Sequence, residues 1–234
     1  MAKATVDDIR ARFDADVERF SSLENGQITT QDAALVLELI AASAARVTPD
    51  AKHLADLGCG AGNFSLKLSE RFAFEKITLV DLSANMLGRA VERLSETSAC
   101  LTPMQTDARD VNLAPASQDL IVAAAVLHHL REAGEWVALF EKLYCALRPG
   151  GSLWIWDLVE HDIPGLQAEM WSRYGEYLAA LKGEEYRRKV FDYIAFEDSP
   201  RSVAFQLHHL RAAGFTADVV HKQGCFAALC AVHP

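Results

Sequence analysis

The chain has 234 residues, of which 50% are hydrophobic and 24% charged, with a formal net charge of −9 at pH 7. This composition is typical of a globular protein that can bury a substantial core. The acidic balance argues against nucleic acid as the main partner, because phosphate contacts need a basic surface. No run approaches the roughly 18 consecutive apolar residues that a membrane span requires.

The first fifty residues predict two helices that precede the main fold. Residues 6–20 place Ile9, Phe13 and Val17 on one face, and residues 31–47 form a longer apolar pattern that ends before Pro49. No export signal is expected, since the N-terminal segment has several acids and no apolar core. The five cysteines are odd in number and lack metal-ligand spacing. This cysteine content indicates a reducing compartment, and the cytoplasm is the expected location.

Short apolar runs then alternate with helical patterns from residue 53 to residue 158. The predicted strands are 53–58, 76–81, 100–108, 119–127 and 152–158, and the predicted helices between them are 63–72, 83–94 and 135–147. This alternation, with short connections, predicts a doubly wound α/β fold with a parallel sheet and right-handed crossovers.

The alternation of strands and helices is interrupted after residue 158. Residues 159–199 are helical and rich in aromatic side chains, and they are interpreted as an insertion that covers the site rather than as a second domain. A helix at 200–215 follows, and then two closely spaced strands, 216–222 and 225–232, form an antiparallel pair. The chain is therefore predicted to be a single domain, 1–234, with residues 1–50 as a further lid.

A glycine turn follows the first strand, in the stretch HLADLGCGAGNFSLKL. Asn63 stands where a dinucleotide-binding turn would have its third glycine, and the Asp56 carboxylate would repel a pyrophosphate but suit a cationic amino-acid end. Asp81 ends the second strand at the spacing of a ribose-binding acid. Asp107 follows the third strand and could receive an adenine amino group. The three carboxylates indicate a nucleoside ligand with an amino-acid tail.

Five stretches in this order, LADLGCGAGNFS, VDLSANML, DARDVNL, DLIVAAAVLHHL and LRPGGSLWI, resemble the motifs of class I S-adenosylmethionine-dependent methyltransferases. The closing AAGF and CFAALCAV are similar to that family's last helix and strands. The resemblance implies a Rossmann-like, mostly parallel seven-stranded sheet with an antiparallel last strand. It also implies S-adenosylmethionine as the cofactor.

The resemblance further implies which residues bind each part of the cofactor. These are Asp56, Gly58, Cys59 and Gly60 for the methionine end, Asp81 for the ribose, Leu82, Met86, Asp107 and Ala108 for the adenine, and Ala124 and Ala125 beneath the sulfonium.

The acceptor is predicted to be a small molecule, since AAAVLHHL replaces the N-P-P-Y motif of many nucleic-acid and protein methylases. The catalytic candidates are His129, then His128, then Tyr174 of the insertion, although capping and core packing compete as roles for all three. No metal site is predicted, because the adjacent histidine pairs have no partner at ligand spacing. A homodimer is compatible with the sequence.

Two alternatives to a small-molecule methyltransferase stay open. The C-terminal region is loosely similar to carboxy-S-adenosylmethionine synthases of tRNA wobble-uridine modification, which hold the extra carboxylate with an arginine of the late helix. In this chain His209, rather than an arginine, is expected at that position of the late helix, and this counts against the synthase. The other alternative is a protein that binds the cofactor without turnover.

Overall fold

The computed structural model describes residues 3–22 and 28–234. Its helices are α1 (Val6–Ala15), α2 (Val17–Ser21), α3 (Ala33–Val47), α4 (Asn63–Ser69), α5 (Ala84–Leu94), α6 (Ala133–Ala146), α7 (Pro164–Lys182), α8 (Glu184–Glu197) and α9 (Val203–Ala212). Its strands are β1 (His53–Leu57), β2 (Lys76–Asp81), β3 (Cys100–Gln105), β4 (Gln118–Ala124), β5 (Leu147–Leu158), β6 (Thr216–Gln223) and β7 (Phe226–Val232). Residues 23–27 of the predicted N-terminal lid lie outside the described residues.

The seven strands form one sheet in the order β3-β2-β1-β4-β5-β7-β6. The first five strands pair in parallel, and β7 lies antiparallel between β5 and β6. This arrangement confirms the predicted fold class. Pro103 is tolerated in β3 because β3 is an edge strand of this sheet.

The sheet buries an apolar layer on each face. Alternate residues of one strand point to opposite faces, so that Leu54 packs in the layer with α3, α4 and α5, whereas Ala55 packs in the layer with α6 and α9. Both residues are fully buried. These two layers hold the carboxyl ends of the parallel strands at one edge of the sheet.

Several strand and helix boundaries differ from the sequence prediction, among them the start of β5, which is Leu147 rather than residue 152. Two of the differences have a clear cause in the backbone. The predicted N-terminal helix 6–20 breaks at Asp16, whose φ of −110° and ψ of 19° leave the helical region. β4 ends at Ala124, three residues before the predicted end, because Ala125 turns to a φ of +53° and cannot continue the strand.

The insertion is a helical hairpin that packs as a third apolar cluster. Gly183, at φ +89°, separates α7 from α8, and Tyr174, Leu178 and Val190 are among the buried residues of the cluster. The N-terminal segment is tied to it, since Arg12 of α1 forms an ion pair of 2.6 Å with Glu197 of α8. Among the helices in the described ranges, none is long and apolar enough to cross a membrane.

Candidate functional site

A cavity of about 200 Å³ opens at the carboxyl ends of β1, β2, β4 and β5. The N-terminal helices and the α7–α8 hairpin complete its wall. Every residue predicted to bind cofactor or acceptor lies in this wall: Asp56, Gly58, Cys59, Gly60, Asp81, Leu82, Met86, Asp107, Ala108, Ala124, Ala125, His128, His129 and Tyr174. Their contact with a ligand stays a prediction.

The glycine turn brings the backbone against this cavity at two positions. Gly58 has φ +63°, and a Cβ there would lie 2.6 Å from the Val126 side chain. Gly60 has φ +50°, and a Cβ there would meet no atom within 4 Å. The first glycine is therefore required by packing, while the second keeps open space beside the turn for a ligand.

Asp56 lies at the end of β1 with only 2% of its surface exposed. Burial raises the pKa of this carboxyl to about 7, against the opposing effect of the hydrogen bond that the Ser65 hydroxyl donates to it. A buried carboxylate without a cationic partner is costly. This position therefore suits a ligand that brings its own positive charge.

Asp81 organises the turn as well as offering oxygens to the cavity. Gly60 N–H donates to one carboxylate oxygen over 2.8 Å, and Ser83 N–H donates to the other over 2.9 Å. Burial raises the pKa of Asp81 above its usual range. Since each carboxylate oxygen has two lone pairs, both keep one for ribose hydroxyls.

Asp107 has a partner that sequence reasoning did not identify. Arg109 donates to both of its carboxylate oxygens, with Nε–Oδ1 2.8 Å and Nη2–Oδ2 2.6 Å. Burial opposes ionisation here, but the hydrogen bonds and charge of Arg109 outweigh it and lower the pKa of Asp107. An adenine amino group at Asp107 would have to share this carboxylate with Arg109.

The floor between the cofactor residues and the acceptor side is made by small residues at the end of β4. Ala125 has φ +53°, an uncommon conformation for a residue with a Cβ, and its N–H donates to the Trp156 carbonyl over 2.7 Å. The hydrogen bond holds the strained turn in place. Small side chains here leave room for a methyl donor and acceptor to approach each other.

Four polar residues, His128, His129, Asp157 and Asp198, form a His–Asp cluster in the cavity wall beyond the end of β4. Asp157 ends β5, accepts backbone N–H groups from Leu127, His128 and Leu158, and binds Nδ1 of His128. Asp198 follows α8 and lies 3.3 Å from His129 Nδ1.

The two histidines of the His–Asp cluster have opposite electrostatic environments. Burial by itself would lower the pKa of His128, but Asp157 and Asp198 outweigh it and raise the value to about 9. Burial and the neighbouring charge of His128 lower the pKa of His129 below its ordinary value. Both ring nitrogens of His129 are buried without a hydrogen-bond partner among the described residues.

Tyr174 lines the cavity, but its hydroxyl is engaged elsewhere. It donates to the Thr29 carbonyl over 3.1 Å, and the neighbouring Tyr177 hydroxyl donates to the Ile28 carbonyl over 2.7 Å. Burial raises the pKa of Tyr174 far above its usual value. This geometry favours a role in packing the lid against the chain after the N-terminal helices.

Several other cavity residues were not assigned a ligand role from the sequence. Asp198 and Trp156 are two of them. The Trp156 side chain is 1% exposed, but it also lines the cavity, and its indole N–H has no partner among the described residues. Arg12 and Arg19 also lie in the wall, and Arg12 is paired with Glu197. In the sequence, the one feature that could have pointed to Asp198 is its position beside Glu197, near the end of the insertion.

Comparison with known proteins adds an independent observation. Residues 54–151, from β1 to the start of β5, match a family model described as a methyltransferase domain. The match begins in β1, just before the glycine turn, and contains the three acidic strand ends. It agrees with the resemblance of these residues to class I S-adenosylmethionine-dependent methyltransferases.

Curated relatives of this chain include two kinds of enzyme. It is 32% identical over 177 residues to trans-aconitate 2-methyltransferase of Streptomyces coelicolor, covering 73% of this chain and 53% of the relative. It is 31% identical over 176 residues to carboxy-S-adenosyl-L-methionine synthase of Chromohalobacter salexigens, and the aligned part covers 70% of this chain and 62% of that relative. The chain thus spans about half the length of the first relative and less than two thirds of the second.

The fold is shared with a solved complex of DhpI and S-adenosylhomocysteine, at a TM-score of 0.64 and 19% identity, over 97% of this chain and 95% of that chain. The cofactor of the family, S-adenosylmethionine, fits the residues present here. Asp56 is buried and has no cationic partner in the part of the chain that the structure describes, Asp81 keeps free lone pairs, and Gly60 leaves open space at the turn.

Proposed function

We propose that this protein transfers a methyl group from S-adenosylmethionine to a small organic acceptor bound between the glycine turn and the His–Asp cluster. One observation carries the proposal: a single cavity reaches from Asp56 and Gly60 to His129 under the α7–α8 hairpin. The volume of about 200 Å³ favours a small acceptor over a polymer. The net charge of −9 also argues against a nucleic-acid acceptor.

When bound, the cofactor supplies an electrophilic methyl group on a sulfonium. Asp56 would bind the ammonium group and Asp81 the ribose hydroxyls, and Ala124 and Ala125 would leave room for the sulfonium. His129 and His128 would contact the acceptor and orient it toward the methyl group. Orientation is sufficient for much of the rate enhancement, since holding two reactants in line removes several kcal/mol, roughly 7–11 at best, from such a barrier.

The acceptor class can be narrowed by charge. Arg19 lines the cavity from α2, and trans-aconitate, named for one relative, is an organic acid. We infer that the acceptor carries at least one carboxylate. Its nucleophilic atom is left to experiment.

The proposal is tested by incubating the protein with S-adenosylmethionine and panels of organic acids, and measuring release of S-adenosylhomocysteine by mass spectrometry. Turnover with a small acid, lost in the His129→Ala variant while S-adenosylhomocysteine affinity is kept, is the expected result. Tight cofactor binding with no turnover on any metabolite extract would instead identify a binding protein without activity.

A carboxy-S-adenosylmethionine synthase is the second candidate, favoured by the relative from Chromohalobacter salexigens. The residue that would replace the carboxylate-binding arginine, His209, lies in α9 against Phe205 and is absent from the cavity wall. The mass of the ligand that co-purifies with the protein separates the two: carboxy-S-adenosylmethionine would support the synthase.

The remaining organisation of the chain is proposed on the same basis. A single domain is supported by the ion pair and hydrogen bonds that join α1 to α8 and the segment after α2 to α7. Cytoplasmic location is supported by the cysteines, which are free in the described part of the chain.

A further inference from the structure

The three donor atoms of the His–Asp cluster that face one another have the spacing of a metal site. Asp198 Oδ1 lies 3.3 Å from His129 Nδ1 and 3.7 Å from His128 Nε2, and one possible ligand atom from each of the three residues lies within 4.8 Å of the other two. Ligands about 2.0–2.1 Å from a tetrahedral zinc ion are separated by about 3.4 Å. We propose that His128, His129 and Asp198 bind a divalent metal ion of the zinc type.

Unpartnered polar atoms supply a second observation that points to a ligand. The Asp198 side chain is 4% exposed, yet its Oδ1 has no hydrogen-bond partner within the described residues, and the same is true of both ring nitrogens of His129. Buried polar atoms are normally satisfied, because their desolvation otherwise goes uncompensated. A cation placed between them would satisfy the carboxylate and one nitrogen at once.

The surroundings of His128 match those of a metal-binding histidine. Asp157 binds Nδ1 of His128, which leaves Nε2 directed toward Asp198. Metal-bound histidines usually donate their other ring nitrogen to a carboxylate in this way, which fixes the tautomer and the ring orientation. Asp157 is itself held by backbone N–H groups of Leu127, His128 and Leu158.

The local charge also favours a cation. Asp157 and Asp198 are both at least 95% buried, and the guanidinium of Arg12, whose charge acts on both histidines, is already paired with Glu197. Two buried carboxylates beside two imidazoles carry a surplus of negative charge, which either a proton on His128 or a metal ion can balance. A metal ion would also engage His129, whose Nδ1 lies 3.3 Å from Asp198 Oδ1 but not in hydrogen-bond geometry.

The sequence predicts no metal here because the two histidines are adjacent and have no third ligand at helical spacing. The third donor comes from Asp198, which the α7–α8 hairpin carries back over the end of β4. With three protein ligands, a tetrahedral ion keeps one open position, as catalytic zinc sites do. An acceptor carboxylate or hydroxyl oxygen would take this position, an assignment that rests on the proposed function, whereas the metal site itself does not.

The test is a titration of the untagged, chelator-treated protein with Zn²⁺ by calorimetry at pH 7.5, followed by Co²⁺ absorption spectroscopy, both without cofactor or acceptor. We expect one ion per chain and the intense visible bands of tetrahedral Co²⁺. Asp198→Asn and His129→Gln should each weaken Zn²⁺ binding at least tenfold, and Asp157→Asn should weaken it by 10- to 100-fold. His208→Gln, from the exposed histidine of α9, is the matched control and should bind like the wild type.

Absence of Zn²⁺ binding to the folded wild type, or equal affinities of the wild type and Asp198→Asn for Zn²⁺, would overturn the metal site. A proton on His128 would then balance the charge of the two carboxylates. Thermal melting and S-adenosylhomocysteine affinity of each variant establish that it is folded. The Co²⁺ spectrum is measured on the wild type, so this result does not depend on the folding of any variant. Cofactor binding without metal binding would refute this inference alone. Metal binding without cofactor binding would refute the proposed function instead.

Discussion

At the scale of single residues, Asp81 is the sharpest test of the cofactor assignment. Its carboxylate offers free lone pairs to ribose hydroxyls while two backbone N–H groups hold it in place. We expect Asp81→Ala to weaken S-adenosylhomocysteine binding by roughly 1.5–3 kcal/mol, the scale of hydrogen bonds to a charged group. Calorimetry gives the dissociation constant.

Asp81→Asn serves as the matched control, since it keeps the volume and one acceptor oxygen and should lose less. A folded Asp81→Ala variant with an unchanged dissociation constant would refute the ribose assignment. Circular dichroism establishes folding independently.

Asp56 predicts how cofactor affinity depends on pH. Its pKa in the folded protein is raised to about 7 by burial, so the carboxyl is mainly neutral below that pH, whereas an ammonium group binds the ionised form. S-adenosylhomocysteine affinity should therefore fall as pH decreases from 7.5 to 6, by up to about tenfold per unit for one proton. Calorimetry at several pH values measures the slope.

The effect of the same group on stability has the opposite sign. Because the folded state keeps the proton of Asp56 to a higher pH than the unfolded chain, this residue stabilises the fold at low pH, and that contribution is lost as pH rises toward 7. Asp56→Asn removes the titration and should bind more weakly, with a flatter pH profile. A wild-type slope in Asp56→Asn would assign the effect to another group, such as Asp81.

At the scale of elements, the α7–α8 hairpin and the N-terminal segment depend on each other. Tyr174 is 2% exposed and connects them through its hydrogen bond to the Thr29 carbonyl. Tyr174→Phe should cost about 0.5–1.5 kcal/mol of stability and leave acceptor kinetics unchanged. Tyr174→Ala should cost about 3–5 kcal/mol, because it empties a large buried volume.

Urea unfolding measures both stabilities, and turnover is compared once an acceptor is known. Tyr177→Phe is the parallel control, since its hydroxyl makes the equivalent bond to the Ile28 carbonyl. If Tyr174→Phe lowered turnover without lowering stability, Tyr174 would be a catalytic residue after all.

At the scale of the whole molecule, cofactor binding should stabilise the fold. The ligand would bridge β1, β2 and β4, and it would bind only the folded state. At a hundred times its dissociation constant, S-adenosylhomocysteine should add about 2.7 kcal/mol, which for a chain of this size raises Tm by roughly 5–10 °C. Differential scanning fluorimetry measures the shift.

NAD is the control ligand, and it should leave Tm unchanged because the Asp56 carboxylate opposes a pyrophosphate. A shift with NAD and none with S-adenosylhomocysteine would mean that the glycine turn serves a dinucleotide.

The sequence by itself determined the sheet and the cofactor side of the cavity. Strand–helix alternation, the glycine turn and the acids at strand ends are local patterns, and parallel strands bring their carboxyl ends to one edge whatever the details of packing. That is why Asp56, Gly58, Gly60 and Asp81 could be placed together from spacing, and why the family and its cofactor were predicted correctly.

Only the tertiary structure decided the acceptor side. Asp198 meets His129, Arg12 meets Glu197 and the Tyr174 hydroxyl meets Thr29 through contacts between segments far apart in the chain. No periodicity or spacing encodes such contacts, because they depend on how a helical hairpin folds back over the sheet edge. The local patterns place the ends of the hairpin at the cavity, and side-chain packing then selects which of its residues face the ligand.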